Sequence, residues 1–274
     1  MSRPEASATR GQAITLSLAP IDGERVTATV QPLTGADELR LAERRTGGAT
    51  SPVELETLIL DTEAVTLSVA GHADDLLIGD RNRIILAVLC TSYGAPREFL
   101  LRCPDCGETQ ELPFDPLTVL GARPTGPAGE VFAVAAEGHD MTMRLPIGAD
   151  LVAIRGAEDG GKALLARCAP SVPATEAGLA AVEAEIAARD GCAEIVFSST
   201  CIECGADVGG LLDPLMLLLG EMDRLGGVLA EIDCIARAYH WSEAELLALP
   251  AYRRRLYLRA IEDAAQDAER RRAS

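Results

Sequence analysis

Four of the eight cysteines fall in two matched clusters, Cys103-Pro104-Asp105-Cys106-Gly107 and Cys201-Ile202-Glu203-Cys204-Gly205. Two residues between the sulfurs let both thiolates face one ion. The glycine after the second cysteine permits the positive φ that turns backbone N–H groups toward sulfur. The copies also agree downstream, because Asp115-Pro116-Leu117 follows Cys103 at the offset at which Asp213-Pro214-Leu215 follows Cys201. The pattern predicts one structural zinc ion (Zn2+) held by Cys103, Cys106, Cys201 and Cys204, between two half-ribbons related by a pseudo-twofold axis. Four thiolates complete a tetrahedral shell and leave no position for a reacting water, so the ion is expected to staple rather than catalyse. The 94 residues between Cys106 and Cys201 are many for a zinc ribbon, and read as a subdomain hung from the metal site. The alternative chemistry is a CxxC redox protein or a zinc enzyme. Neither motif opens a helix in a βαβ frame, which disfavours the redox reading.

Little else in the chain is arranged for catalysis. His72, His139 and His240 share no ligand spacing, and no glycine-rich loop sits between a strand and a helix as phosphate binding requires. Carboxylates are abundant, but no pair is singled out by its surroundings. No catalytic or organic-cofactor residues are therefore expected, and the chain reads as non-enzymatic.

Charge narrows the partners. The net charge is −17, which disfavours nucleic acid and anionic membranes. The segment from Tyr252 to Ser274 is the exception, at +3 against −20 for the rest. The first dozen residues lack the apolar core of a leader peptide, and no apolar run, Leu215 to Leu219 among them, is long enough to span a bilayer. The expected location is cytoplasmic, where thiols stay reduced and cysteines serve as metal ligands or buried apolar groups.

The elements that must position these residues form an α+β pattern. Residues 1–12 read as a disordered tail and 13–70 as an N-terminal strand and helix region. Its hairpin turns at Ile21-Asp22-Gly23-Glu24, and its first helix is capped by Thr34 with Asp37. Residues 71–220 read as a zinc-ribbon-like core with an insertion at 121–195. Within it, Leu76 to Tyr93 forms a helix with Asp80 as N-cap, an apolar stripe of Ile84, Ile85, Val88 and Leu89, and Gly94 as its stop. Residues 214–268 read as a long helix and a helical tail. Leu215, Leu218, Met222, Leu225, Leu229, Ile232, Ala236 and Tyr239 follow an unbroken heptad spacing, with Gly226 and Gly227 outside the seam but weakening the helix as a candidate kink. That seam serves either as a core face or as a contact for a partner or a helix-mediated oligomer. Leu218, Met222, Leu225, Leu229, Ile232 and Trp241 are the partner-facing candidates. Ser242 and Glu245 form a capping box, with Trp241 placed to pack on Leu246.

An ordered series of these residues carries a resemblance. Asp80-Arg81-Asn82-Arg83 in a helix, Tyr93-Gly94, CPDCGE, the later CIECG, and the tail ARAYHWSEAELLALPAYRRRLYL together resemble the baseplate hub assembly chaperone family of T-even-type phages, whose relatives occur with phage-like contractile injection systems. PLTGADE at 32–38 is similar to that family's strand-to-helix transition, and the likeness runs from about residue 26 to 261. Ile202, in place of proline, and Cys234, in place of a polar residue, depart from the pattern without touching the four ligands. The resemblance implies assembly of a contractile tail through contacts with baseplate or hub proteins, with no enzymatic activity. It leaves open an assembly chaperone or adaptor on one hand and a permanent baseplate component on the other.

Overall fold

The computed structural model describes residues 10–47, 51–69, 73–95, 97–122, 126–136 and 138–273. Most of the expected tail 1–12, His72 and residues 123–125 of the expected insertion lie outside the described residues.

The fold is α+β, and it is organised around one buried helix. Strands β1 (Ile14–Ser17), β2 (Thr27–Val30) and β3 (Val65–Leu67) form an antiparallel sheet in that order. Helices α1 (Gly35–Thr46) and α2 (Pro52–Leu60) stand between β2 and β3. Each starts from a capping box, Thr34 with Asp37 and Ser51 with Glu54. Helix α3 (Ile78–Tyr93) is buried on nearly every face, not along a single stripe. Ile84, Ile85, Leu86, Val88 and Leu89 are all inaccessible, each stabilising the fold by roughly 1.5–3 kcal/mol. Asp80 is not its N-cap. Leu77 holds that position without a side-chain bond, and the Asp80 carboxylate lies in the interior, accepting from the Ala19 N–H at 2.7 Å and from Arg83 at 2.7 Å. Gly94 ends the helix at φ 87°.

Two hairpins follow the same plan 98 residues apart. In the first, β4 (Arg97–Arg102) pairs with β5 (Thr109–Phe114) and leads into α4 (Pro116–Leu120); in the second, β8 (Ile195–Thr200) pairs with β9 (Asp207–Leu212) and leads into α8 (Pro214–Asp223). Asp115 and Asp213 each cap the following helix, with proline in its first turn. Between them, β6 (Val131–Ala136), β7 (His139–Arg144), α5 (Gly148–Ala153), α6 (Gly160–Cys168) and α7 (Glu176–Arg189) build the insertion. It has its own small core of Val134, Met143, Leu165, Ala169, Val172 and Val182. The main core draws on β1, β2, α1, α2, α3, the ends of β8 and β9, and α8. Residues on both sides of position 70 contribute to it.

The expected long helix from Asp213 is two helices. After α8 the chain passes through Leu225 (φ 60°), Gly226 (φ 84°) and Gly227 (φ 79°) before α9 (Gly227–Tyr239) begins. The glycine pair, each costing a helix about 1 kcal/mol relative to alanine, is where the ladder breaks. The heptad seam is consequently divided. Leu215, Leu218 and Met222 enter the main core, while Ile232 packs with Val228, Ile235, Leu246 and Leu258 in a C-terminal cluster. Helix α10 (Glu243–Leu247) starts from the Ser242–Glu245 capping box, and α11 (Ala251–Ala273) runs to the end, exposed beyond Ile261.

Buried charge ties α11 to the body. The Arg254 guanidinium, fully inaccessible, donates to Glu231 at 2.8 Å, to the Leu249 carbonyl at 2.8 Å and to Glu38, which also accepts from Tyr93 Oη at 2.7 Å. Arg255 bonds Glu221 at 3.1 Å and lies over the Tyr93 ring at 4.6 Å.

Candidate metal centre

Each cysteine cluster occupies the turn of its hairpin, and the two turns are built alike. Gly107 and Gly205 both adopt φ 76°. Their N–H groups donate back to the Cys103 and Cys201 carbonyls at 3.0 Å, while Cys103 N and Cys201 N donate to the Glu108 and Ala206 carbonyls at 2.8 Å. A residue with a Cβ would be strained at that φ, which is the local reason for glycine in both copies.

The hairpins bring the four thiols together. Cys103 Sγ lies 3.6 Å from Cys204 Sγ, Cys106 Sγ lies 3.7 Å from Cys201 Sγ, and all four sulfurs are within 4.8 Å of one another. An ion held tetrahedrally by thiolates at about 2.3 Å sets sulfurs roughly 3.8 Å apart, so the residues present fit such an ion. Cys103 and Cys201 are buried against Val208, with Leu101 and Ala206 beside them, whereas Cys106 and Cys204 face solvent. Proton affinity is unevenly divided. The backbone N–H of Cys106 is the chief group drawing the Cys103 thiol down to about 7. At Cys106 the Glu108 N–H favours the thiolate, but desolvation and the three neighbouring thiols outweigh it and push the group up to about 12.

The opposite ends of the hairpins, about 20 Å away for strands of this length, are fixed by the start of α3. Arg83 donates to the Leu120 carbonyl at 3.0 Å, holding the end of the first half. Asn82 donates to the carbonyls of Cys192 at 2.9 Å and Ala193 at 3.2 Å, holding the approach to β8. Asp190, before that segment, accepts from the Gly79 N–H at 2.9 Å. Arg81 reaches the other way, to the Ala73 carbonyl at 2.9 Å and to Thr57 at 3.1 Å. Gly79, Asn82 and Arg83 are thus the clamp at one end of the paired hairpins, with Asp80 holding Arg83, and the thiols are the clasp at the other. A third tie, Ile202 N–H to Gln110 Oε1 at 3.3 Å, crosses between the halves near the thiols. Gln110 is buried, and its pseudo-symmetric counterpart is Val208; an isolated polar residue at an inward strand position was the one sequence signal for it.

Residues 13–180 match the family described as T4 bacteriophage base plate protein. The chain belongs to that family. The match covers the first cysteine pair and most of the insertion, and ends within α7, before Cys201 and Cys204. No curated protein and no solved structure matches the chain. Among the described residues of this baseplate protein, the four cysteines are the one group of three or more metal-ligating side chains close enough to share an ion. Among the described residues, no helix is long and apolar enough to cross a membrane.

The candidate partner residues do not form one surface. Leu218, Met222 and Ile232 are buried in the folded chain. Trp241 is half-buried, packed edge-on against Tyr257 at 5.0 Å and beside Tyr239 at 5.5 Å. Leu225 and Leu229, at 63% and 56% exposure, do face solvent.

Proposed function

We propose that this baseplate-family protein is a non-enzymatic assembly chaperone or adaptor for the hub of a contractile tail, stabilised by one zinc ion at Cys103, Cys106, Cys201 and Cys204. The observation that carries the reading is the closed set of four thiols within a baseplate-family fold. Such a set satisfies zinc completely and gives a substrate no open position. When bound, zinc would supply a structural crosslink between the hairpins. The residues around it already position the thiols through the two glycine turns and the Gln110 bridge. The acidic body and the exposed helical C-terminus are suited to covering basic or apolar surfaces of assembly intermediates, and the partners are baseplate or hub proteins.

The test is affinity purification of the tagged chain from cells producing the tail proteins, alongside analysis of finished particles. Recovery in complexes with baseplate proteins, with the chain missing from finished particles, supports the chaperone. Stoichiometric presence in finished particles makes it a permanent component, and absence from both overturns the reading.

A further inference from the structure

The α8–α9 junction carries a combination that the chain's own packing does not explain. Leu225 adopts φ 60° and ψ 21°, a left-handed conformation in which bulky side chains are rarely found. Its side chain is nonetheless 63% exposed. Leu225 lines a cleft of about 240 Å³ between this junction and α11. Arg10, Arg224, Arg255 and Arg259 line the same cleft, against the carboxylates of Glu221 and Glu262. The cleft is therefore locally positive on a chain whose net charge is −17. Arg255 and Arg224 bond Glu221 at 3.1 Å and 2.9 Å, and Arg10 donates to the Tyr93 carbonyl at 2.9 Å. Arg259, one turn from Arg255 and exposed, has no ion pair among the described residues.

We infer that this cleft is a docking site for an acidic segment of a baseplate protein that carries an apolar anchor. The anchor packs on Leu225, and its neighbouring carboxylates pair with Arg259 and Arg224. The inference rests on the assembly role proposed above and names the chemistry of the partner. Charge complementarity selects an acidic segment, because a basic one would meet four guanidiniums. The strained leucine presents an apolar contact beside those charges, and arginine is enriched at energetically dominant interface positions.

The experiment places a photocrosslinking amino acid at position 225 in cells producing the tail proteins and identifies the crosslinked peptide by mass spectrometry. An acidic peptide from a baseplate protein is expected. Arg259→Glu, at the cleft arginine with no ion pair among the described residues, should lower its yield at least about tenfold without changing the melting temperature. A separate variant, Leu225→Asn, which suits the left-handed backbone, should melt at or above the wild-type temperature and yet recover less of the partner in the affinity purification. Crosslinks to Met1–Thr9 of the same chain, to a basic segment, or to no protein would overturn the inference. So would a Leu225→Asn variant that melts lower, since Leu225 would then serve the fold. These outcomes leave the assembly reading intact, because that reading stands or falls on recovery of the unmodified chain with baseplate proteins.

Discussion

Replacing Arg254 by methionine should be among the most damaging single changes outside the cysteines. Its guanidinium is fully buried and satisfies two carboxylates at once, Glu38 from α1 and Glu231 from α9, together with the Leu249 carbonyl. Methionine fills a similar volume and removes every donor. Breaking a buried ion pair by removing one partner costs about 3–5 kcal/mol, a large part of the stability of a typical domain. Burial already raises the Glu38 carboxyl above its ordinary value, and the Arg254 charge is the chief group opposing that rise. Without Arg254 the folded chain holds the Glu38 proton more tightly still. A folded-state pKa above the unfolded one penalises the ionised form at neutral pH, and the penalty fades as pH falls through the folded value. Urea unfolding at pH 7 and pH 5 should therefore show a deficit of a few kcal/mol that narrows in acid. Glu38→Gln/Glu231→Gln added to Arg254→Met should recover much of it, because glutamine keeps an acceptor for Tyr93 Oη. A deficit under about 1 kcal/mol, or one that widens at pH 5, would refute the account.

Metal analysis of the purified chain should find one zinc per molecule, and Cys103→Ser or Cys201→Ser should lose it while speeding amide exchange in β5 and β9; no zinc, or a Cys103–Cys106 disulfide in protein from a reducing cytoplasm, would contradict the site. Burial is the main cause that pushes Asp190 up to about 6 from 3.8, so its share of stability should rise as pH falls from 7 toward 4, by about 3 kcal/mol at most. Asp190→Asn, which keeps an oxygen for the Gly79 N–H, should be more stable at pH 7 and lose that dependence; unchanged pH profiles would contradict the assignment. Trp241→Ala should cost about 2 kcal/mol, through the lost contacts with Tyr239 and Tyr257, and Ser242→Ala about 1 kcal/mol, through the lost cap on Glu245 N–H; melting temperatures equal to wild type would show that this helix start is dispensable.

Legibility in the sequence followed the range of each interaction. The knuckles, their glycines, the 98-residue repeat and the capping boxes at Thr34 and Ser242 depend on neighbours within a few positions, and each stands where its spacing placed it. Helix α3 was readable as a helix but not as a buried one. Its charges look solvent-facing in a periodic plot, and only the tertiary partners at Ala19, Leu120 and Cys192 show why they are not. The seam from Leu215 to Tyr239 failed for a related reason. A heptad spacing reports where side chains would lie on one continuous helix, and three consecutive positive φ values at 225–227 rotate the second half onto a different core. Gly226-Gly227 was the warning, since each glycine weakens a helix by about 1 kcal/mol relative to alanine and admits the positive φ found there.

The family match ends at residue 180, yet the physical unit extends well beyond it. Within 13–180 the metal site has two thiols, too few to close a tetrahedral shell. Helix α3 lacks Leu215, Leu218, Leu219 and Met222, the α8 side chains that complete the core around it. Asn82 has no Cys192 or Ala193 carbonyl to hold, and Gly79 N–H has no Asp190. Glu38, buried in α1, has neither Arg254 nor the charge balance that Arg254 supplies. Each of these absences exposes apolar surface or strands a buried polar group. The second half-ribbon and the tail helices through Leu258 are therefore integral to the family fold in this chain. A partner reading the α8–α9 junction would bind where the second half-ribbon and α11 meet, on the part of the molecule that closes the fold.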